Sequence, residues 1–372
     1  MKLTFQKNSL LNSINIVLKA VPSKTTMPIL ECILIDASAD EIKLTANDME
    51  LGIETKVEGN ILEKGKIALD AKLFSEIIRK LSDADSYITI ESDEKFNTVI
   101  ACENSVFRIQ GKDGEEFSYL PYIERDKFIC LSQFSLKEVI RQTIFSIAAN
   151  DSNKMMTGEL FEVNGCELRV VSLDGHRMAI RKVVLKDNYE STKVIVPGKT
   201  LNEVSKILNG DNEKEVTIYF GPNHVLFEFD DTIVVSRLIE GEYFKVDQML
   251  SNDYNTRFSV NKKEFLDSIE RASILIRESD KKPLILNIED SKMALKLNSS
   301  FGTMNAELLI HKTGQDIMIG FNPKFLIDAL RIIDDEDVTL YMMNPKSPCF
   351  IKDENETYIY LILPVNFNAA AI

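Results

Sequence analysis

The sequence has few cysteines, and they are not arranged for metal binding or for disulfide bonds. Cys32, Cys102, Cys130, Cys166 and Cys349 are odd in number, widely scattered, and never form a CxxC pair. Structural zinc sites need closely spaced cysteines, and small secreted domains need paired ones. The sequence therefore predicts a reduced protein of the cytoplasm, without zinc and without a disulfide framework.

Long hydrophobic runs are also missing. The longest apolar runs, such as residues 358–365, have the length of a β-strand, and residues 1–8 lack the apolar core of a secretory leader. A helix that spans a membrane needs about 20 apolar residues. We therefore expect no membrane contact.

Motifs of nucleotide-binding and hydrolytic enzymes are absent as well. The chain contains no P-loop, GxGxxG, HExxH or GxSxG pattern, and no DxD pattern beside a nucleotide-binding element. Residues 174–177, Asp-Gly-His-Arg, place a histidine beside an acid, but the flanking segments are typical of a β-hairpin. We interpret His176 as a turn residue and predict a noncatalytic protein without cofactor or metal.

The composition is that of a folded protein with an excess of acid. Apolar residues make up 44% of the chain, and 44 basic against 58 acidic residues give a formal charge of −14. Because this charge repels polyanions, contact with nucleic acid requires a local basic surface. The length of 372 residues suits three ordinary domains or one or two larger ones.

An internal repeat of about 125 residues favours three domains. One set of amphipathic segments, each with a turn, a lysine and apolar residues at helical spacing, is marked by Lys72, Lys199 and Lys324, which are 127 and 125 residues apart. A second set, each just after a short strand, is marked by Ile14, Ile144 and Ile269, which are 130 and 125 residues apart. We predict domains at residues 1–124, 125–253 and 254–372.

Each repeat follows the order strand, helix, several strands, helix, several strands. Helical periodicity predicts helices at residues 8–20, 71–81, 136–149, 199–208, 262–276 and 324–333. Segments 86–91, 215–220 and 337–342 alternate with period two, as half-buried strands do. The predicted fold class is α+β, with three repeated domains of two helices and antiparallel sheets.

Positive charge is concentrated on the predicted helices. They contain 13 basic and 7 acidic residues, a net charge of +6 in a chain of −14. For any single helix, a few basic residues are common on an exposed face, because lysines there often pair with glutamate one turn away. If all six helices face one surface, however, they form a basic lining for a polyanion. No base-recognition motif accompanies them, so such contact would be with phosphates.

These features together resemble the bacterial β sliding clamp family, the processivity subunit of the replicative DNA polymerase. The most similar segments are Met-Pro-Ile-Leu at 27–30, Asp-Gly-His-Arg-Met-Ala at 174–179, Arg-Leu-Ile-Glu-Gly at 237–241 and Leu-Pro-Val at 363–365. The resemblance covers essentially the whole chain. It implies the DNA clamp fold and a head-to-tail homodimer, a ring whose helices surround double-stranded DNA independently of sequence.

The resemblance also implies which cations contact DNA. Lys24, just before the 27–30 motif, matches a basic position with which family members touch DNA. With the helix bases, the candidate DNA-binding residues are Lys24, Lys72, Arg79, Lys80, Lys137, Arg141, Lys199 and Lys206. The alternative left open is an acidic three-repeat scaffold, or an enzyme acting on a small molecule, that never encircles DNA.

A groove between the second and third domains is the partner site that the resemblance implies. It would receive short peptides from the polymerase catalytic subunit, the clamp loader and other proteins with a clamp-binding motif. Its residues would be Met156, Leu173, Gly175, His176, Arg177, Met178, Phe244, Met249, Asn322, Phe325, Leu363, Pro364 and Val365. Methionines and aliphatic residues beside one histidine and one arginine suit an adaptable apolar pocket.

Three positions depart from the family pattern. Phe244 and Gln248 stand where many relatives have proline and a basic residue, and Asn366 stands in place of the usual arginine, before an extra tail at 367–372. The partner preference of the groove therefore stays open.

We also predict the residues of the dimer interface. An edge strand of the first domain that carries Phe107 is expected to meet Ile274 and Leu275 of the third domain. We expect the helix that begins at Lys262 to continue through Ile276, beyond its own core face. Its last apolar side chains would then lack a partner within the domain.

Overall fold

The computed structural model describes residues 1–81, 86–149, 153–277 and 282–367. The chain divides into two compact units: the first contains Met1–Leu136 and Asn202–Leu238, and the second contains Lys137–Leu201 and Ile239–Ile372. In the described ranges, no helix is long and apolar enough to cross a membrane.

All six predicted helices are confirmed, and each begins within three residues of its predicted start. They are α1 Lys7–Val17, α2 Ala71–Lys80, α3 Gln133–Thr143, α4 Gly198–Ile207, α5 Lys262–Ser273 and α6 Pro323–Ile332. Side-chain caps explain several of these starts. The side-chain oxygens of Asp70, Asn261 and Asn322 accept hydrogen bonds from backbone N–H groups at the starts of α2, α5 and α6.

Helix α5 ends earlier than predicted. Ser273 is its last residue, and the chain then tightens into hydrogen bonds between residues three apart, such as Leu275 N–H to the Ala272 carbonyl at 3.1 Å. The Ser273 hydroxyl donates to the Ile269 carbonyl at 2.8 Å and so competes with the helical pattern. The predicted continuation of the helix through Ile276 is wrong.

The strands follow the predicted order within each repeat. The first repeat contains β1 Lys2–Gln6, β2 Cys32–Asp36, β3 Ile42–Asn47, β4 Leu51–Val57, β5 Asn60–Glu63, β6 Lys66–Asp70, β7 Tyr87–Ser92, β8 Asn97–Cys102, β9 Ser105–Gln110 and β10 Lys112–Asp113. The second contains β11 Phe128–Ser132, β12 Gly158–Leu173, β13 Arg177–Pro197, β14 Glu215–Phe220, β15 His224–Phe229 and β16 Thr232–Arg237. The third contains β17 Thr256–Asn261, β18 Leu284–Glu289, β19 Lys292–Ser299, β20 Gly302–Leu309, β21 His311–Gly314, β22 Ile317–Phe321, β23 Asp337–Met342, β24 Cys349–Lys352 and β25 Tyr358–Ile362.

The first unit contains two antiparallel sheets. One has five strands in the order β5-β1-β7-β8-β9, and the other has nine in the order β10-β6-β2-β3-β4-β16-β15-β14-β11. The larger sheet combines strands of two repeats, because Leu51–Thr55 of β4 pairs antiparallel with Thr232–Ser236 of β16. Neighbouring repeats therefore share a sheet.

The second unit repeats this arrangement. Its seven-stranded sheet has the order β12-β13-β25-β24-β23-β17-β21, and its four-stranded sheet has the order β20-β19-β18-β22. Here Arg177–Arg181 of β13 pairs with Tyr358–Ile362 of β25, which joins the second repeat to the third. Alternating residues of β19 (Met293, Leu295 and Leu297) are buried under α5 and α6 in the core of the third repeat.

Candidate functional site

The turn between β12 and β13 presents His176 at the surface of the second unit. Asp174 fixes this turn, since its Oδ1 accepts hydrogen bonds from the backbone N–H of His176 at 3.0 Å and of Arg177 at 3.1 Å. Gly175 has φ of +83°, a conformation that glycine adopts without strain. The prediction of a hairpin turn is confirmed, and the His176 side chain is exposed.

The ring of His176 lies on an aromatic residue of α6. It stacks on Phe325 with centroids 6.0 Å apart and ring planes inclined by 21°. Asn322, another predicted groove residue, uses its Oδ1 to cap α6 at the Lys324 N–H. The structure thus brings residues of the second and third repeats into one site.

Apolar residues continue this site beside the turn. Leu173 and Met178 are buried in a cluster against which the half-buried side chains of Met156 and Phe244 pack. Met249, which is 44% exposed, ends a short 3-10 helix whose Val246 belongs to the same cluster. These residues give the site an apolar base with one exposed methionine at its surface.

The segment after β25 lies next to the same turn. The Leu363 N–H donates to the His176 carbonyl at 2.9 Å, and the Val365 N–H donates to the Gly320 carbonyl at 2.8 Å. Leu363 is exposed, while Pro364 and Val365 are half-buried. Of the tail, Phe367 packs so closely on Gly320 that an added Cβ would lie 2.7 Å from its ring. Residues 368–372, the rest of the predicted tail, lie outside the described residues.

Arg177 is the predicted groove residue whose placement differs most from expectation. Only 9% of it is exposed, and its guanidinium bonds Asp174, Asp328 and the Phe145 carbonyl. The resemblance implies a place for it in the groove that receives the peptide. The sequence does not predict Asp328 and Phe145 as partners of Arg177. Both are more than 30 residues away from it in the chain, and no local pattern links them to the turn.

A buried carboxyl group lies in the same unit. Glu159 is fully buried, and its Oε2 lies 3.1 Å from Thr143 Oγ1, whereas its Oε1 has no hydrogen-bond partner among the described residues. Burial raises the pKa of Glu159 well above its ordinary value of 4.5, which favours the protonated form. Tyr243 nearby donates to the Val171 carbonyl at 3.3 Å, and burial raises its pKa too.

The candidate DNA-binding cations fall into two groups. Lys24, Lys72, Arg79 and Lys80 of the first unit are exposed and make no ion pair with another residue in the described ranges. The Lys206 Nζ, by contrast, lies 2.8 Å from Glu203. Charge on the first group is therefore available to an anion, whereas that of Lys206 is already balanced.

Cations of the second unit include one that is tightly held. Arg141 bonds Glu138, Asp334 at 2.9 Å and the Ile332 carbonyl at 3.2 Å, and the hydrogen bond to Glu138 raises its pKa. Because two carboxylates already balance the charge of Arg141, it is a weaker candidate for contact with DNA. Lys137 is half-buried and Lys199 is exposed.

The predicted interface residues lie at exposed apolar positions, with one exception. Phe107 is 37% exposed on β9, one of the two edge strands of the five-stranded sheet, and Ile274 is 80% exposed after α5. Leu275 packs against the core of its own repeat, so the expectation that it lacks an internal partner is wrong. The turn after α5 directs it inward.

Three family models match the chain in order. They describe the DNA polymerase III beta subunit: its N-terminal domain matches residues 1–121, its central domain residues 130–245 and its C-terminal domain residues 247–366. Proteins named Beta sliding clamp from Staphylococcus aureus and Staphylococcus epidermidis are 34% and 33% identical over 376 residues, which cover 98% of this chain and 99% of each relative.

Solved structures agree with these matches. The chain is 64% identical, with a TM-score of 0.96, to a crystal structure described as that of a DNA polymerase III beta subunit from Eubacterium rectale. It is 34% identical, with a TM-score of 0.95, to the DNA polymerase sliding clamp from Bacillus subtilis. Both comparisons cover 99% of this chain and all of the other.

Proposed function

Since the chain belongs to the DNA polymerase III beta subunit family, the bacterial β sliding clamps, we propose that it is a noncatalytic clamp that keeps the replicative DNA polymerase on duplex DNA. It would act in the cytoplasm as a closed ring of two copies arranged head to tail. Its three repeats, at residues 1–124, 125–253 and 254–372, would supply six similar domains to that ring.

The pairing of strands between repeats carries this proposal. In each pairing, the third strand after the second helix of one repeat (β16 or β25) pairs with a strand that follows a hairpin turn in the preceding repeat (β4 or β13). The equivalent strands left over are β9 of the first repeat and β20 of the third. Among the described strands, β9 pairs only with β8, and β20 only with β19. A second copy supplies the missing partner at both edges.

Exposed apolar residues support this placement of the interface. Val106 and Phe107 on β9 are 51% and 37% exposed, and Phe301 and Leu309 beside and on β20 are 52% and 75% exposed. Ile274, also in the third repeat, is the fifth exposed apolar side chain of this set. Edge strands with exposed apolar side chains invite pairing with another chain, and ring closure covers them.

Duplex DNA would be attracted by a few unpaired cations rather than by the whole set. Lys24, Lys72, Arg79 and Lys80 are the strongest candidates, because no described carboxylate neutralises them. Lys137 and Lys199 contribute in the second repeat, while Arg141 and Lys206 contribute less. Contacts with phosphates alone hold DNA without fixing its sequence and so permit sliding.

Partner proteins would bind the groove around His176, Phe325, Met249 and Pro364. An apolar base with a stacked aromatic pair at one side suits a short peptide with aliphatic and aromatic anchors. We assign this groove to the polymerase catalytic subunit, the clamp loader and other proteins with a clamp-binding motif.

Retention on circular DNA tests the proposal. The protein is loaded onto a nicked plasmid by the clamp loader of its source organism and separated from free protein by gel filtration at moderate salt. We expect it to stay on the circle and to be released when a restriction enzyme linearises the plasmid. Equal retention on circular and linear DNA, or none on either, would overturn the proposal.

A further inference from the structure

The guanidinium group of Arg177 uses all three of its nitrogen atoms inside the protein. Nε donates to Asp174 Oδ2 at 2.9 Å, Nη1 to Asp328 Oδ2 at 2.6 Å and Nη2 to the Phe145 carbonyl at 2.6 Å. Two carboxylates thus balance one almost fully buried cation. Such charge-assisted bonds are short and directional, and they hold their partners in one geometry.

Two aromatic rings lie against the same guanidinium. Its central carbon is 4.6 Å from the centroid of Phe325 and 5.3 Å from that of Phe145. His176 also contacts Phe325, since its ring stacks on it. Phe325 therefore contacts both Arg177 and His176, in addition to the core of the third repeat on which it packs.

These contacts join three segments that are distant in sequence. Asp174 belongs to the β12–β13 turn, Phe145 to the turn after α3, and Asp328 with Phe325 to α6. Arg177 bonds or contacts all three. Loss of its hydrogen bonds would leave the turn and α6 without a direct ionic link.

We propose that Arg177, together with Asp174 and Asp328, is a positioning residue of the peptide groove and does not itself contact the peptide. It holds Phe325 and the His176 turn in the arrangement that receives an aromatic or aliphatic anchor. This arrangement raises the affinity because the side chains are already ordered before the peptide binds. Binding then loses less side-chain entropy. This inference rests on the proposed partner groove.

Peptide titration with double mutants tests it. The probe is a fluorescein-labelled peptide that carries the clamp-binding motif of the replicative polymerase of the source organism. Arg177→Lys retains the positive charge but cannot donate to Asp174, Asp328 and the Phe145 carbonyl at once. Asp328→Asn retains the side-chain shape but removes one negative charge. Each is expected to weaken peptide binding about tenfold. Arg181→Lys, on the same strand with its Nη1 on Thr357, is the matched control and should bind like the wild type.

The decisive measurement is the same change in a Phe325→Ala background. If Arg177 acts through Phe325, Arg177→Lys adds little further loss there, less than about twofold. A full tenfold loss in that background would mean that Arg177 does not act through Phe325, and it would overturn the inference.

Two controls keep the outcomes distinct. Circular dichroism and thermal unfolding establish that each variant is folded. If Arg177→Lys does not fold, Asp328→Asn replaces it in the measurement. Wild-type protein that fails to bind the peptide overturns the groove itself. Wild-type binding with unchanged affinity in both single variants overturns only the positioning role.

Discussion

The hydroxyl groups of Thr55 and Thr232 lie 2.9 Å apart in the interior of the first unit, although 177 residues separate them in the chain. Both are buried, on β4 and β16, at the point where the sheets of two repeats become one. Burial of two hydroxyl groups is tolerated because they bond each other. The same kind of strand pairing, left open at β9 and β20, is what a second copy can complete.

Charge in the β9 edge is expected to open the dimer. Phe107→Glu places a carboxylate where the proposed interface buries an aromatic ring, which strongly disfavours association. Light scattering at micromolar concentration should show a monomer that retains its circular dichroism. Tyr87→Glu is the matched control, because Tyr87 is 71% exposed on β7, a strand paired on both sides. A dimeric Phe107→Glu protein would place the interface elsewhere.

Replacement of Ile274 tests the other side of this interface. Its exposed side chain contributes little to the fold of the isolated chain, so Ile274→Ala should weaken the dimer with little change in melting temperature. Leu275→Ala should instead lower the melting temperature, because Leu275 packs on its own core. Equal thermal effects of the two substitutions would contradict this division.

Unpaired cations should dominate the attraction to DNA. The triple variant Lys24→Gln, Lys72→Gln, Arg79→Gln is expected to reduce the log-log salt slope of DNA binding by about three, one for each lost phosphate contact. The control Lys206→Gln with Glu203→Gln removes an ion pair without changing the net charge. An unaltered slope in the triple variant, measured by fluorescence anisotropy, would refute these contacts.

Truncation of an exposed groove anchor should weaken partner binding. Met249→Ala is expected to cost about 2 kcal/mol in affinity for a polymerase-derived peptide, since a central anchor contributes more than a rim residue. Met27→Ala provides the comparison, because Met27 is 43% and Met249 is 44% exposed, and Met27 lies in the first unit. Isothermal titration of both variants checks this, and equal affinities would argue against the groove.

Glu159 should make the stability of the protein depend on pH. Above the ordinary carboxyl pKa of 4.5, the unfolded chain releases a proton that the folded chain retains, so stability falls as pH rises toward the raised folded pKa. Glu159→Gln removes this dependence. The variant should be more stable at neutral pH, with a difference that grows by up to about 1.4 kcal/mol per pH unit and vanishes below about pH 4.

Denaturation by urea at several pH values measures this difference. Glu354→Gln, at a carboxylate that is 88% exposed, is the control and should show no such trend. A stability difference for Glu159→Gln that stays constant across the pH range would mean that Glu159 is ionised in the folded chain.

Local patterns in the sequence determined the elements and their repetition. Helices such as α2 follow from a cap at Asp70 and apolar residues one turn apart, and strands such as β23 follow from alternation, because both periods are set by backbone geometry within a few residues. The turn at 174–177 was predictable for the same reason. Several groove residues could be named because the segments at 174–179 and 363–365 resemble those of the clamp family.

Only the tertiary structure decided how these elements combine. The pairing of β4 with β16, the bond from Arg141 to Asp334 and the bond from Arg177 to Asp328 join residues more than 150 positions apart, and no local period encodes such partners. The inward turn of Leu275 is a similar case, since it depends on the core that it meets. Sequence spacing sets which face of an element is apolar, whereas the choice of partner depends on which distant faces and charges the completed fold brings into contact.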